Sequence, residues 1–354
     1  MSSTPLCVDL DGTLLRSDLL YESLLAMLAR RPWLALLLPI WLLGGKARLK
    51  REIAKRSAID PAHLPYDPRV LDLLAAHDGC HRVLCTASDL QLVAPIARHL
   101  DCFDEVMASD GKANLSGHRK AEALVARFGE AGFVYAGNAS IDLHVWRRAK
   151  AAIVVNAGQG LVDQVARLCE VQQHLPAERA GLRAWLRALR LHQWLKNLLV
   201  FVPLLASHRF TELEPVSAAL LAFLAFGLSA SGVYLLNDLL DLEADRRHPR
   251  KRLRPFAAGQ LSLLHGLVAA PLLALCGLAL ALWVNAAFAI TLAIYYALTL
   301  AYSLWWKRVP MLDVIVLASL YTVRIIGGAA AIGSALSFWL LAFSVFIFLS
   351  LALL

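Results

Sequence analysis

The sequence predicts an α/β domain carrying a helical cap, followed by an all-α polytopic transmembrane bundle. Three observations point there. Short apolar runs ending in clusters of Asp, Thr and Ser recur in the first half, at 6–14, 82–89 and 132–142. Long apolar runs recur from residue 191 onward. Charge divides the same way: of 35 Lys/Arg and 27 Asp/Glu, residues 181–354 hold only 14 and 7. The boundaries follow as an α/β domain over 1–160 with its cap over about 16–78, a linker with an amphipathic helix over 161–190, and a membrane domain over 191–354.

In the first half, Leu6-Cys-Val-Asp9-Leu-Asp11-Gly12-Thr13 reads as a buried strand broken at Gly12. Open α/β sheets place their active sites at such strand ends. Asp9 is positioned to attack phosphorus and form an aspartyl-phosphate. Asp11 is positioned to protonate the leaving oxygen and then activate water. A second strand, 82–89, delivers the hydroxyls of Thr86 and Ser88. Lys120 opens a helix and can offset charge on the nucleophile and the phosphate. A third strand, 132–137, runs into Asn138 and Asp142, and 151–156 reads as a fourth. The apolar segment 32–45 inside the cap is too short for a bilayer helix. It is expected to be buried in the cap or to rest on the membrane surface beside Lys46, Arg48, Lys50 and Arg51.

The net charge of +8 does not describe a nucleic-acid surface, because six of the basic residues sit in one stretch, Arg246 to Arg254. The 6 cysteines lack CxxC spacing, which predicts a reducing compartment and neither disulfide framework nor zinc site. The N-terminus lacks the pattern of a secretory signal.

In the second half, spans are expected near 194–207, 215–236, 263–284, 286–306, 311–333 and 336–354. Loops after the second and fourth are basic, the latter through Lys307 and Arg308, whereas those near Asn285 and Ser334 are uncharged. That alternation predicts a cytoplasmic (inner) membrane protein with its N-terminal domain in the cytoplasm. The chain ends at Leu354 within an apolar run, so a longer natural sequence is expected.

The second span ends in Asn237-Asp238-Leu-Leu-Asp241-Leu-Glu-Ala-Asp245. On a helix, Asn237, Asp241 and Asp245 share one stripe and Asp238 adjoins it. Carboxylates crowded at a membrane boundary repel one another unless a cation offsets them. Mg²⁺ suits oxygen donors shared with substrate phosphates. The arginines that follow, Arg252 and Arg254 among them, suit bidentate phosphate contact. The competing reading is a solvated helix end with internal salt bridges. Lys196, at the start of the first span, and Lys307 add cations on the same side. Arg324, inside the fifth span, is expected to contact a phosphate or substrate, with Asp313 or a backbone carbonyl as the alternative partner. Tyr234, Tyr302 and Tyr321 are candidates to line the cavity.

Asp9–Thr13 followed by Leu14, with Thr86, Lys120 and Asp142 in order, resembles the haloacid dehalogenase superfamily of phosphatases over 1–160. The resemblance implies Asp9 as nucleophile, Asp11 as acid/base, Thr86 as phosphate ligand, Lys120 as charge neutraliser, and Asp9, Asn138 and Asp142 about Mg²⁺. Asn138 stands where that family usually has Asp, which removes one negative charge. NDLLDLEAD at 237–245 resembles the UbiA superfamily of intramembrane prenyltransferases over about 185–354, whose motif is N-D-x-x-D-x-x-x-D. Stretches 189–205, 248–262 and 321–328 are most similar to polyprenyl-phosphate phosphoribosyltransferases. That resemblance implies a lipid bilayer setting, a polyprenyl lipid acceptor, a diphosphate donor and Mg²⁺, with phosphoribosyl transfer; the adjacency of the two domains, not the resemblance, leads to the expectation that the fused phosphatase acts on the product. An aromatic prenyltransferase and a non-catalytic membrane scaffold remain open alternatives.

Overall fold

The computed structural model describes residues 4–110, 114–178 and 181–353. They form two compact units: residues 1–181 with 240–263, and residues 182–239 with 264–354.

The first unit is built on a six-stranded sheet with strand order β3-β2-β1-β4-β5-β6, every neighbouring pair parallel. The strands are β1 (Leu6–Val8), β2 (Arg82–Asp89), β3 (Glu105–Ser109), β4 (Val134–Gly137), β5 (Ala151–Ala157) and β6 (Glu170–Pro176). Successive side chains point to opposite faces. Leu6, Val8, Leu84 and Ile153 therefore enter one core, and Cys7, Val83, Cys85, Tyr135 and Val154 the other. Burial on both faces explains why these strands read as continuous apolar runs.

Residues 161–176 are not the linker expected from the sequence. They complete the helix Gln159–Val165 and form the edge strand β6. Edge position leaves β6 polar and largely exposed, so its sequence, EVQQHLP, lacks the apolar signature of the inner strands. The cap is also smaller than 16–78. The helix Pro68–Ala76 packs Val70, Leu73 and Leu74 into the sheet core.

That helix starts at a buried anchor. The Asp67 carboxylate accepts from Arg69 Nη2 at 2.6 Å, Arg69 Nε at 2.9 Å and Asn156 Nδ2 at 3.1 Å. Burial alone would raise its pKa; hydrogen bonds from Arg69 and Asn156, and the charge of Arg16, instead hold it down at about 2. A carboxyl whose folded pKa lies below the unfolded value stabilises the fold above the unfolded pKa, and that stability is lost as pH falls toward the folded one. Asp67→Asn is expected to cost about 1–2 kcal/mol at neutral pH and to flatten the loss of stability between about pH 4 and 2, read by urea unfolding across that range.

The loop 240–263, expected to belong to the membrane domain, packs within the α/β unit. Arg246 donates to Glu22 of the cap helix Leu19–Arg30 at 2.7 and 2.9 Å, and its Nε donates to the Ala257 carbonyl at 3.0 Å. Both side chains of the ion pair are at most 8% exposed. Arg247 bonds Asp60, and Arg30 bonds Glu243. A buried charge stripped of its partner is costly, so Arg246→Met is expected to destabilise this unit by about 3 kcal/mol, with Glu22→Gln in the same chain restoring part of it in thermal unfolding. Sequence alone could not pair residues 224 positions apart.

In the second unit, four helices are long and apolar enough to cross a membrane: Leu213–Leu240, Leu263–Val284, Ala286–Leu304 and Leu312–Ala331. Leu263, at the start of the second of these, belongs to the first unit. The helix Leu213–Leu240 turns small residues inward, including Ala222, Ala225, Gly227, Ser229 and Ser231, and leaves Leu220 and Leu224 outside. Small inward residues let apolar helices approach where no water drives packing. The expected first and sixth spans are shorter apolar helices, Leu191–Ala206 and Phe338–Leu353. The first begins as a 3-10 stretch, Leu191–Phe201, and becomes α-helical at Val202 beside Pro203. It lies against the fifth span where Gly328 meets the Val200 backbone; a Cβ there would stand 2.1 Å from the Val200 carbonyl oxygen.

Candidate active sites

The α/β site forms at the ends of β1, β2 and β4. Gly12 turns the chain after β1 with φ of 76°, a conformation that favours glycine, and a Cβ there would fall 2.1 Å from Asn138 Nδ2. The turn thus needs glycine both for its backbone and for the close approach of Asn138. Asp9 is anchored by its N–H to the Ala136 carbonyl at 2.9 Å. Its Oδ1 accepts from Lys120 Nζ at 2.8 Å. Lys120 is buried and also reaches Tyr135 Oη at 2.9 Å, and that hydroxyl donates to Asp142 Oδ1 at 3.0 Å.

Asp9, Asp11, Thr86, Asn138 and Asp142, all singled out from sequence, therefore lie on the strand ends and turns of one sheet, and Lys120, also singled out, reaches Asp9 from the helix His118–Phe128. Tyr135 was missed. Its alternation in β4 marks it as core, and only the fold shows its hydroxyl bridging Lys120 to Asp142. Lys50 was assigned to a membrane-facing patch, but its Nζ donates to the Ala87 carbonyl at 3.3 Å, beside Thr86.

Asp11 accepts from Ser88 Oγ and from the Leu19 N–H, each at 2.7 Å. Thr86 is fully buried, and its hydroxyl accepts from the Ser88 N–H at 3.1 Å. Burial raises both strand-end carboxyls. Asp9 rises only to about 6, because Lys120 opposes the shift. Asp11 rises to about 7, helped by the neighbouring charges of Asp18 and Asp9. Burial would lower Lys120, but Asp9 and Asp142 hold it above the ordinary lysine value and hence charged. An acid/base group titrating near neutrality beside a carboxylate held by a cation is the arrangement acid-assisted attack requires.

For a divalent cation, Asp9 and Asn138 present oxygen donors of the right hardness. Asp142 fits less well than expected from sequence. Its Oδ2 accepts from the N–H groups of Asn138 and Ala139 at 3.2 and 3.1 Å and its Oδ1 from Tyr135, so it serves to hold the β4 turn.

The membrane unit contains a cavity of about 290 Å³, lined among others by Arg190, Lys196, Tyr234, Asn237, Tyr295, Tyr302, Tyr321 and Arg324. Its lining holds three cationic side chains and no carboxylate. Arg324 is 5% exposed and donates to Asn197 Oδ1 at 2.9 Å, the Leu320 carbonyl at 2.6 Å and Tyr295 Oη at 2.8 Å. Its guanidinium also lies over the rings of Tyr295 and Tyr321, at 4.8 and 5.6 Å. Asn197 and Tyr295, rather than Asp313, are its side-chain partners. Lys196 lies over Tyr321 at 5.7 Å.

Arg190 was not anticipated from the sequence. It precedes the first apolar stretch in the left-handed region (φ 51°), stacks over Tyr234 at 5.0 Å and ion-pairs with the buried carboxylate of Asp238. Its signal was its position, six residues before Lys196 at a span entrance. In the other unit, Asp245 is buried and bound to Arg254 at 2.7 Å. Burial raises the Asp245 carboxyl while Arg254 opposes the shift. Asp241 occupies the position just before the short helix Leu242–Arg247, with no capping bond from its side chain. Arg252 is exposed, and Lys307 lies in the turn Trp306–Arg308 outside the cavity lining. The donor set Asn237, Asp238, Asp241 and Asp245 has the oxygen chemistry Mg²⁺ takes. Asp238 and Asp245 are held by arginines here, and among the described residues no three His, Cys, Asp or Glu side chains converge as a metal site.

These features define a helix bundle of membrane-spanning type with a cavity lined by basic and aromatic side chains, and an α/β domain with buried carboxylates at its strand ends. Residues 198–354 match the model of the UbiA prenyltransferase family, and residues 6–147 match the haloacid dehalogenase-like hydrolases. The chain belongs to the UbiA prenyltransferase family, with a haloacid dehalogenase-like domain at its N-terminus, and is a multi-pass membrane protein. It is 41% identical over 353 residues to an uncharacterized protein, y4nM, of Sinorhizobium fredii, covering 99% of this chain and 68% of that one. It is 41% identical over 160 residues to a decaprenyl-phosphate phosphoribosyltransferase of Mycolicibacterium smegmatis, covering 44% and 50%. It is 44% identical over 178 residues to the nodulation protein NoeC of Azorhizobium caulinodans, covering 50% and 57%. The chain thus matches between half and about two thirds of the length of these relatives. Among solved structures it is similar to a UbiA homolog from Archaeoglobus fulgidus bound to DMAPP and Mg²⁺, at 21% identity and a TM-score of 0.41, covering 47% of this chain and 60% of that one.

Proposed function

We propose that the membrane half transfers a 5-phosphoribosyl group from phosphoribosyl diphosphate to a polyprenyl phosphate, and that the fused domain is a phosphatase acting on the phosphoribosylated lipid. The observation that carries this reading is the carboxylate-free cavity lined by Arg190, Lys196 and Arg324. Arg190, although paired with Asp238, joins Lys196 and Arg324 in an apolar bundle, and a positive lining of this kind suits phosphorylated substrates. The Mycolicibacterium relative, named a decaprenyl-phosphate phosphoribosyltransferase, supports the same transferred group and class of acceptor.

In the transfer, an oxygen of the lipid phosphate attacks the anomeric carbon of ribose, the bond from that carbon to the diphosphate oxygen breaks, and diphosphate leaves. Arg190, Lys196 and Arg324 orient the phosphates. Arg252, Arg254 and Lys307 are assigned to steering the phosphorylated substrates to the membrane surface, a role that rests on charge alone. Asn237, Asp238, Asp241 and Asp245 would hold Mg²⁺, which supplies positive charge to the departing diphosphate.

In the α/β domain, Asp9 attacks phosphorus, the ester oxygen leaves with the proton from Asp11, and Asp11 then deprotonates the water that hydrolyses the aspartyl-phosphate. Lys120 holds Asp9 and offsets charge, and the Thr86 hydroxyl is assigned to a phosphate oxygen. Asp9 and Asn138 would hold Mg²⁺, which offsets the charge of the phosphate dianion. The domain is assigned to the cytoplasmic side of the inner membrane on the alternation of basic loops.

The test is transfer of radiolabel from phosphoribosyl diphosphate to polyprenyl phosphate in membranes holding the full-length protein with Mg²⁺. Label is expected in the lipid phase and should disappear with Asp241→Ala. Lipid without label, together with consumption of a prenyl diphosphate and an aromatic acceptor, would replace this reading with aromatic prenyl transfer.

A further inference from the structure

The cap carries an apolar surface that the two active sites leave unused. The segment Pro32–Leu43 forms a 3-10 turn followed by a short α-helix. Leu34 and Trp41 are buried and anchor it on Met27 and Ile53. The opposite side exposes Trp33, Leu36, Leu37, Ile40 and Leu43, at 62, 79, 37, 54 and 89%. Those positions recur every three or four residues, so they form one outward stripe. A soluble domain facing water on this side would place polar residues there.

We propose that this stripe is a monotopic membrane anchor, seated in the leaflet from which the polyprenyl phosphate is drawn. Two observations select a lipid surface as the occupant. The first is continuity with the membrane boundary. Arg30, two residues before the segment, bonds Glu243 at 3.2 Å. Glu243 lies three residues past the end of the spanning helix Leu213–Leu240, in a loop whose other end enters the span at Leu263. The buried Arg246–Glu22 pair fixes that loop to the cap helix leading into the segment. The second is charge. Residues 30–51 contain no acidic residue, and Arg31, Arg48 and Arg51 are exposed on either side of the stripe. Basic residues flanking an apolar stripe suit anionic headgroups above acyl chains. The anchor would hold the α/β domain at the depth of a lipid-borne phosphate, sparing that substrate an excursion into water. The seating of the stripe in lipid rests only on the chain being a membrane protein, whereas the polyprenyl phosphate it faces rests on the function proposed above.

The test uses the full chain reconstituted in phosphatidylcholine–phosphatidylglycerol vesicles, carrying an environment-sensitive nitrobenzoxadiazole label at Leu36→Cys, or at Leu43→Cys in a second variant, with the signal of the labelled unsubstituted chain subtracted. Both positions are exposed, so neither change touches the core. Emission is expected to be blue-shifted and to lose about half or more of its intensity when the lipids carry doxyl groups on their acyl chains, whereas a label at Asp163→Cys responds to neither. Emission at both sites matching the Asp163 control would overturn the anchor. A blue shift without doxyl quenching would overturn it equally, since protein, such as a second copy of the chain, would then cover the stripe.

Discussion

Asp9→Asn is expected to lower hydrolysis of a phosphate monoester such as p-nitrophenyl phosphate by at least about 10³-fold while leaving the fold in place. The amide oxygen keeps the geometry of the Lys120 contact but is a poor nucleophile. The buried ammonium of Lys120 still has Tyr135 Oη at 2.9 Å and Asp142 at 3.8 Å, so it is not stranded. Thermal stability should therefore change little, which separates a chemical defect from a structural one. The same substitution should leave an extra phosphate on the lipid product, visible as a mass difference. A product unchanged in phosphorylation would show that the domain acts elsewhere than on that lipid. A stability loss equal to that of a buried unpaired charge would instead make Asp9 structural.

Arg324→Ala is expected to destabilise the membrane unit by about 3 kcal/mol, because it strips hydrogen bonds to a charged donor from Asn197 Oδ1, Tyr295 Oη and the Leu320 carbonyl at once. Transfer should fall by about 10²-fold or more if the guanidinium also meets substrate phosphate in the cavity it lines. Arg324→Lys separates the two roles. One ammonium keeps the charge but cannot reproduce a planar fork reaching three acceptors and stacking on two rings. A lysine variant that is nearly as stable as the parent yet shows a raised KM assigns Arg324 to substrate. One that loses stability with KM unchanged assigns it to holding the Leu191–Phe201 stretch against the fifth span.

The path from sequence to site was short where the chemistry is local. Asp9, Asp11 and Gly12 sit on one strand and its turn, so the phosphatase-type constellation could be read before any fold was known. The fourth-motif change to Asn138 was equally legible. What Asp142 does was not, because its oxygens are spent on the N–H groups of a 3-10 turn and on Tyr135, a partner that alternation marks only as core. β6 escaped for a different reason: an edge strand has little to bury, and burial is what writes a strand into composition.

Hydropathy by itself determined that this chain holds an α/β half and a membrane half, because bilayer thickness and sheet burial each impose a length and a period on apolar runs. The motifs, likewise, singled out the carboxylates to which the proposed chemistry is assigned. Only the tertiary structure decided who neutralises them: Arg190 for Asp238, Arg254 for Asp245, and Lys120 for Asp9. Only it assigned the basic loop 240–263 to the cap, through Arg246 and Glu22. The physical reason is common to these cases. Burial of a charge selects its partner by distance in space, and a long-range pair leaves no periodic trace along the chain.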